Sequence, residues 1–269
     1  MDGILLQRSE FLVLLDAVKA PGVIGLPRET FPRETGEFRA LVLDGIRQLR
    51  QRGLLDVREN INVLNADLLA LATAVAYPQL AIITTRAVPG AGQQLFLHYA
   101  AAGMVVEQTF PEERVHRLVA LANRRVLIER LLAILAVPAA PPAEAGQPEI
   151  SVTLPQALLV DVKAKAEAGQ REVALKALEA AGLAASAAQA LVESFQEPVV
   201  GSAVVVAQCR QGQVTDSRNA ALVQGHLATW LITPTEPEAA TFKVQTATVA
   251  ALAKVLLHWT ETLAPTARR

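Results

Sequence analysis

The chain has a single cysteine, Cys209. It excludes an intramolecular disulfide and a cysteine-based zinc cluster, and such usage suits a reducing cytoplasm. An excess of one charge is also missing, with 25 Lys and Arg against 26 Asp and Glu. That balance gives no global pull towards nucleic acid or an anionic membrane. Aromatic residues make up 4% of the chain while 52% is hydrophobic, so its core must be aliphatic. Long apolar runs are absent too. The most apolar window, residues 68–85, is interrupted by Pro78 and Gln79, and a membrane span needs roughly 20 mostly apolar residues. It reads as a buried helix, a break and a buried strand. Met1-Asp2-Gly3 lacks the basic segment of a cleaved leader, so no signal peptide is expected.

Signatures of chemistry are equally scarce. The histidines, at 98, 116, 226 and 258, never form H-E-x-x-H and never share a helical face by spacing. Ser202 follows Gly201 but lacks the second glycine of a nucleophile elbow. Gly90-Ala91-Gly92 starts like a dinucleotide loop, yet strands follow where that fingerprint needs a helix. No catalytic residue, cofactor or metal site is expected. A deep polar pocket with His98 or His226 converging on it would reopen the enzymatic reading.

What the chain does have is an internal repeat of element order. Residues 136–148, AVPAAPPAEAGQP, cannot form a core and read as a linker. The expected organisation is a first half at 1–135 and a second at 149–269. Each half opens with a short apolar run and an amphipathic helix, with Ser9 as the first cap and Pro155 starting the second. A helix stopped by Gly-Leu follows in each, at Gly53-Leu54 and Gly182-Leu183, because glycine takes the left-handed conformation past a helix end at little cost. Ala-rich helices then end near Pro78 and Pro198. Strands are predicted at 81–86, 94–99 and 104–109, and again at 203–208, 227–232 and 241–246. Pro111-Glu112-Glu113 is expected to start the closing helix of the first half, with a further helix at 124–134. Residues 249–259 close the second half. The predicted fold is α/β of the α+β kind, with two pseudo-twofold-related halves and a mainly antiparallel sheet flanked by helices.

The Gly-Leu helix ends, the Ala/Leu-rich helices ending at proline, and the units MVVEQTFPEERVHRLVAL and FKVQTATVAALAKVLLHW resemble the EspG family. These are cytosolic chaperones of type VII secretion, and the resemblance spans nearly the whole chain as a pattern. It implies a quasi-twofold fold with a central sheet, no catalytic residues, and a protein partner of the PE–PPE kind, a small helical secreted dimer. The family's partner-contacting loop has a counterpart at 88–92, which makes Val88 and Pro89 candidate contacts. A second candidate is 211–225, which reads as an irregular extension present in one half only. Its apolar end nominates Leu222 and Val223, where aspartates are expected to weaken partner capture without changing the melting temperature.

The alternative is a winged-helix-type DNA-binding or signalling adaptor, with the helix at 38–52 presenting Arg47, Arg50 and Arg52. A second basic cluster is Arg124, Arg125 and Arg130. Against DNA binding, the helix at 68–76 is almost wholly apolar, a poor groove reader.

Overall fold

A computed structural model describes residues 3–27, 35–58, 61–135, 150–236 and 240–263. The proposed linker at 136–148 lies outside the described residues. The first half runs β1 (Ile4–Gln7), α1 (Arg8–Ala17), α2 (Thr35–Gln51), β2 (Leu55–Arg58), β3 (Ile61–Leu64), α3 (Ala66–Ala76), β4 (Leu80–Val88), β5 (Gly92–Ala101), β6 (Met104–Thr109), β7 (Val115–Leu121) and α4 (Arg124–Leu135). The second runs β8 (Ser151–Pro155), α5 (Gln156–Glu167), α6 (Arg171–Ala180), α7 (Ala185–Gln196), β9 (Val200–Arg210), β10 (Gln213–Gln224), β11 (Thr229–Pro234), β12 (Thr241–Thr246) and α8 (Val249–Thr262).

Ten strands form one antiparallel sheet in the order β1-β7-β6-β5-β4-β9-β10-β11-β12-β8. Strand for strand, this order is the same from either edge. The halves meet at β4 and β9, where Leu80 faces Gln208 and Ala87 faces Gly201. Among the described residues, the short hairpin β2–β3 alone has no counterpart in the second half. The fold is therefore α+β, with a large antiparallel sheet.

Alternation along the strands sorts the core into layers, because neighbouring side chains point to opposite faces. Ala81 packs with Phe11, Leu49 and Leu68 from α1, α2 and α3. Trp230 and Val244 pack with Val162, Leu178 and Leu191 from α5, α6 and α7. The other face carries Leu80, Ile82, Val204 and Leu231, covered by Leu127 and Leu131 of α4 and Leu252 and Leu256 of α8. Two three-helix groups thus share one face, and α4 and α8 cover the centre of the other.

The Gly-Leu stops act as the sequence implies. Gly53 and Gly182 have φ of 67° and 96°. Each N–H, and that of the following leucine, reaches back to a helix carbonyl, Arg50 and Leu49 in one case, Glu179 and Leu178 in the other. At α1 the cap differs from expectation. Gln7 occupies the cap position and its N–H donates to Glu10 Oε2 at 2.7 Å, while Ser9 lies inside the helix.

Two expectations are overturned, and each hid a strand. Pro111–Glu113 does not begin a helix. It precedes β7, which pairs with both β6 and β1. The sequence VHRLVAL fits a helical and a strand period equally, and the free edge of β6 decides between them. Residues 211–225 are not an irregular extension. They are β10, paired along its length with β9 and at its end with β11. A register shift between Val214 and Asp216 breaks the alternation there, and the polar start masks the rest. With β7 and β10 restored, each half reads β-α-α-α-β-β-β-β-α, apart from β2–β3.

Candidate functional site

The four nominated residues separate in space. Val88 ends β4 half-buried, and Pro89 is exposed in the β4–β5 turn with Gly90 and Ala91. Leu222 is 3% exposed, in the core under α4 and α8. Val223 points to the opposite face and packs partly buried against the α5–α7 group. Leu222 therefore presents nothing to a partner, and the loop that was to display it is a central strand.

A surface does form at the end of the sheet where Pro89 sits. Ala87, Gly201, Val223 and Trp230 make one row across β4, β9, β10 and β11. Beyond that row two hairpin tips leave the sheet, 89–91 between β4 and β5 and 225–228 between β10 and β11. The second tip carries Leu227, 64% exposed. It is held down on α7. The His226 N–H donates to Glu193 Oε1 at 3.0 Å, and a side chain on Gly225 would come within 2.8 Å of Ser194 Cα. Pro89 and Leu227 are thus exposed apolar residues at the same end of the sheet, with β9 between their hairpins. Sequence reading missed Leu227 by placing it inside a strand; Gly225 just before it was the available signal of a turn.

One member of the basic cluster, Arg52, is used internally. Arg52 grips the buried carboxylate of Glu10 through Nη1, 2.7 Å from both oxygens, and its Nη2 donates to the Leu5 carbonyl at 2.8 Å. Arg47 pairs with Asp44 at 3.4 Å. Arg52 therefore ties α2 to the sheet edge. The following helix, α3, buries Leu68, Leu71 and Val75 against the sheet, and its exposed residues, Asp67, Leu69 and Thr73 among them, include no base to meet a phosphate.

His98 and His116 are buried and structural in setting. His98 Nε2 lies 3.1 Å from Glu107 Oε2, and Arg130 takes the same carboxylate through Nε at 2.7 Å and Nη2 at 3.2 Å. Burial pushes the Glu107 carboxyl up, but the hydrogen bonds and charges of His98 and Arg130 outweigh it and hold the pKa to about 2. His116 stacks on Phe11 at 4.2 Å, meets Phe110 edge-on, and takes the Gln108 amide nitrogen at 2.8 Å from Nδ1. An amide NH2 only donates, so Nδ1 accepts and the proton sits on Nε2. Burial, then the nearby Arg8 charge, lowers the pKa of His116 to about 4. Among the described residues no group of three His, Cys, Asp or Glu could hold a metal, and no helix is long and apolar enough to cross a membrane.

The sign of the His116 effect sets a pH prediction. Between about pH 6.5 and 4 the unfolded chain binds a proton at this site and the folded one does not. Stability therefore falls as pH drops through that window, by about 3 kcal/mol for a shift of this size. Urea midpoints measured from pH 7.5 to 4 should fall accordingly. His116→Phe should flatten the slope, whatever it does to the level. Glu107 adds its own loss lower down, from about pH 4.5 towards 2.

No family model and no curated protein matches the sequence. The fold is similar to that of a solved structure: the Mycobacterium tuberculosis type VII secretion system chaperone EspG5, solved in complex with the PE25–PPE41 dimer, covers 98% of this chain and 97% of its own, with a TM-score of 0.69 and 16% identity. At that identity the likeness establishes a shared fold across both chains from end to end.

Proposed function

We propose that this chain is a protein-binding module that holds a helical partner in the cytoplasm, as a chaperone for secretion. The observation that carries the reading is the end-to-end fold shared with a chaperone whose solved structure includes its protein cargo. The exposed residues Pro89 and Leu227 support it. Two apolar tips projecting from a rigid sheet end offer a contact that costs little conformational entropy to form. The duplicated order of elements suits a scaffold, since the half with no exposed use for a residue can still supply sheet and core. A non-enzymatic role fits the inward use of His98 and His116. A small helical secreted protein, or a dimer of two, is the partner class this reading names.

The test is a double substitution at the tips. Pro89→Asp with Leu227→Asp places charge where neither side chain is packed, so the melting temperature should move by no more than about 2 °C. Partner affinity, measured by titration calorimetry with the co-purified partner, should weaken by about tenfold or more. Unchanged affinity with an intact fold would remove the tips from the contact.

A further inference from the structure

The strand registers place the His98–Glu107–Arg130 cluster opposite a telling counterpart. His98 faces Glu107 across β5 and β6, and Leu222 faces Leu231 across β10 and β11, the same two strands of the other half. On the covering helix, Leu127, Arg130 and Leu131 in α4 correspond by spacing to Leu252, Val255 and Leu256 in α8. So the second half fills with Leu222, Leu231 and Val255 the place where the first half buries an ionised carboxylate. The fold does not require charge there. A buried ion pair is commonly no more stabilising than apolar residues of similar size. The cluster therefore needs a reason other than stability.

Arg130 gives the reason, because it is also in the wall of a cleft. Between the start of β5, the end of β6 and the start of α1 lies a hollow of about 810 Å³. Its wall carries Arg8, Arg114 and Arg130 beside Leu95, Phe96 and Phe110 and, among the described residues, no Asp or Glu. Glu107 takes Nε and Nη2 of Arg130 and leaves the Nη1 donors uncommitted to it. Among the described residues Arg114 pairs with Glu113, at 3.5 Å, with both side chains largely exposed. The corresponding hollow of the second half, about 570 Å³ between β10, β11 and α8, differs in kind. There Asp216 takes Arg218 at 2.7 Å, and Glu236 lines the wall along with Lys243. The first hollow sets arginines beside apolar walls, whereas the second carries the carboxylates Asp216 and Glu236 in its own wall.

We propose that the first-half cleft is a binding site for a carboxylate carried on an apolar body, with Arg114 and Arg130 receiving the carboxylate and Phe96 and Phe110 flanking the apolar part. Glu107 and His98 act as positioning residues that fix the Arg130 fork. The volume falls within the range of small-ligand sites, roughly 300–1,000 Å³. Planar guanidinium donors match a carboxylate in pairs, which favours this group over a neutral polar one.

The experiment is calorimetric titration of the full chain with two carboxylates, decanoate and the dipeptide acetyl-Leu-Phe, each beside its uncharged amide. Either carboxylate binding more tightly than its amide by about tenfold supports the proposal, and which one binds identifies a lipid-like or a peptide source. Arg114→Ala, at an exposed side chain, should weaken binding by a similar factor with the fold intact. A triple variant, His98→Leu with Glu107→Leu and Arg130→Val, copies the second half. It should melt close to the parent and lose the preference for the carboxylate. If neither carboxylate binds at millimolar concentration, or amides bind equally well, or Arg114→Ala and the triple variant bind as the parent does, the proposal is overturned.

Discussion

Leu222→Asp should unfold the protein, alone or with Val223→Asp. Leu222 is 3% exposed and packs with Val204, Ala220 and Leu231 beneath α8. Removing its apolar burial costs about 2–3 kcal/mol. Leaving an unpaired carboxylate in that core adds several more, or forces the group to stay neutral. The total approaches the whole stability of a typical domain, about 5–15 kcal/mol. Circular dichroism should show loss of the cooperative melt, or expression should give only insoluble chain. A soluble variant with a parental melting temperature would mean that β10 is not the central strand described here. Val223→Asp alone should be milder, since Val223 is only partly covered by the α5–α7 group.

Gly45→Ala should also destabilise, against its local propensity. Gly45 is buried within α2 where that helix crosses α1. In an open helix, alanine would gain about 1 kcal/mol over glycine. Here a Cβ would press into the backbone carbonyl of Ser9 and reach within 2.8 Å of Val13 Cγ2. Backbone cannot turn aside as a side-chain tip can, so α1 must move off α2. Overpacking of this kind costs about 1–3 kcal/mol, and the helix shift also strains the Arg52–Glu10 tie, so sterics exceed propensity. The melting temperature should drop by several degrees, and Gly45→Leu by far more. An unchanged or raised melting temperature for Gly45→Ala would show that the two helices can separate freely.

These two sites also mark what could be read from the sequence. The helix stops at Gly53 and Gly182 were legible because one residue type meets a backbone need that local chemistry alone defines. Strands β6 and β12 were legible because their β-branched runs end at clear punctuation. Strand β7 was not, since Val115, Leu118 and Val119 satisfy both periods and only pairing with β1 and β6 decides. Strand β10 was not, because a bulge and an Asp216–Arg218 pair made a central strand look like a loop. That error carried directly into the site: a strand end was read as a displayed surface, so Leu222 was nominated and Leu227 passed over. The exposure of Pro89 was legible because a turn between two strands is exposed in almost any packing. Gly45 and the Arg130 cluster depend on contacts between elements distant in sequence, which composition and spacing do not encode. A faint trace existed in Glu107, a charged residue two positions from Val105 on the same face of a buried strand.

If the sheet end bearing Pro89 and Leu227 holds a protein partner, binding must shield both hairpin tips from solvent. The test is hydrogen–deuterium exchange on the chain, free and in the complex recovered with it from a lysate of its own cells. The expected result is a complex of fixed stoichiometry containing a helical protein, and slowed exchange on binding at residues 87–92 and 224–229. Recovery of the chain by itself, or a complex in which both segments exchange as fast as in the free protein, would contradict it.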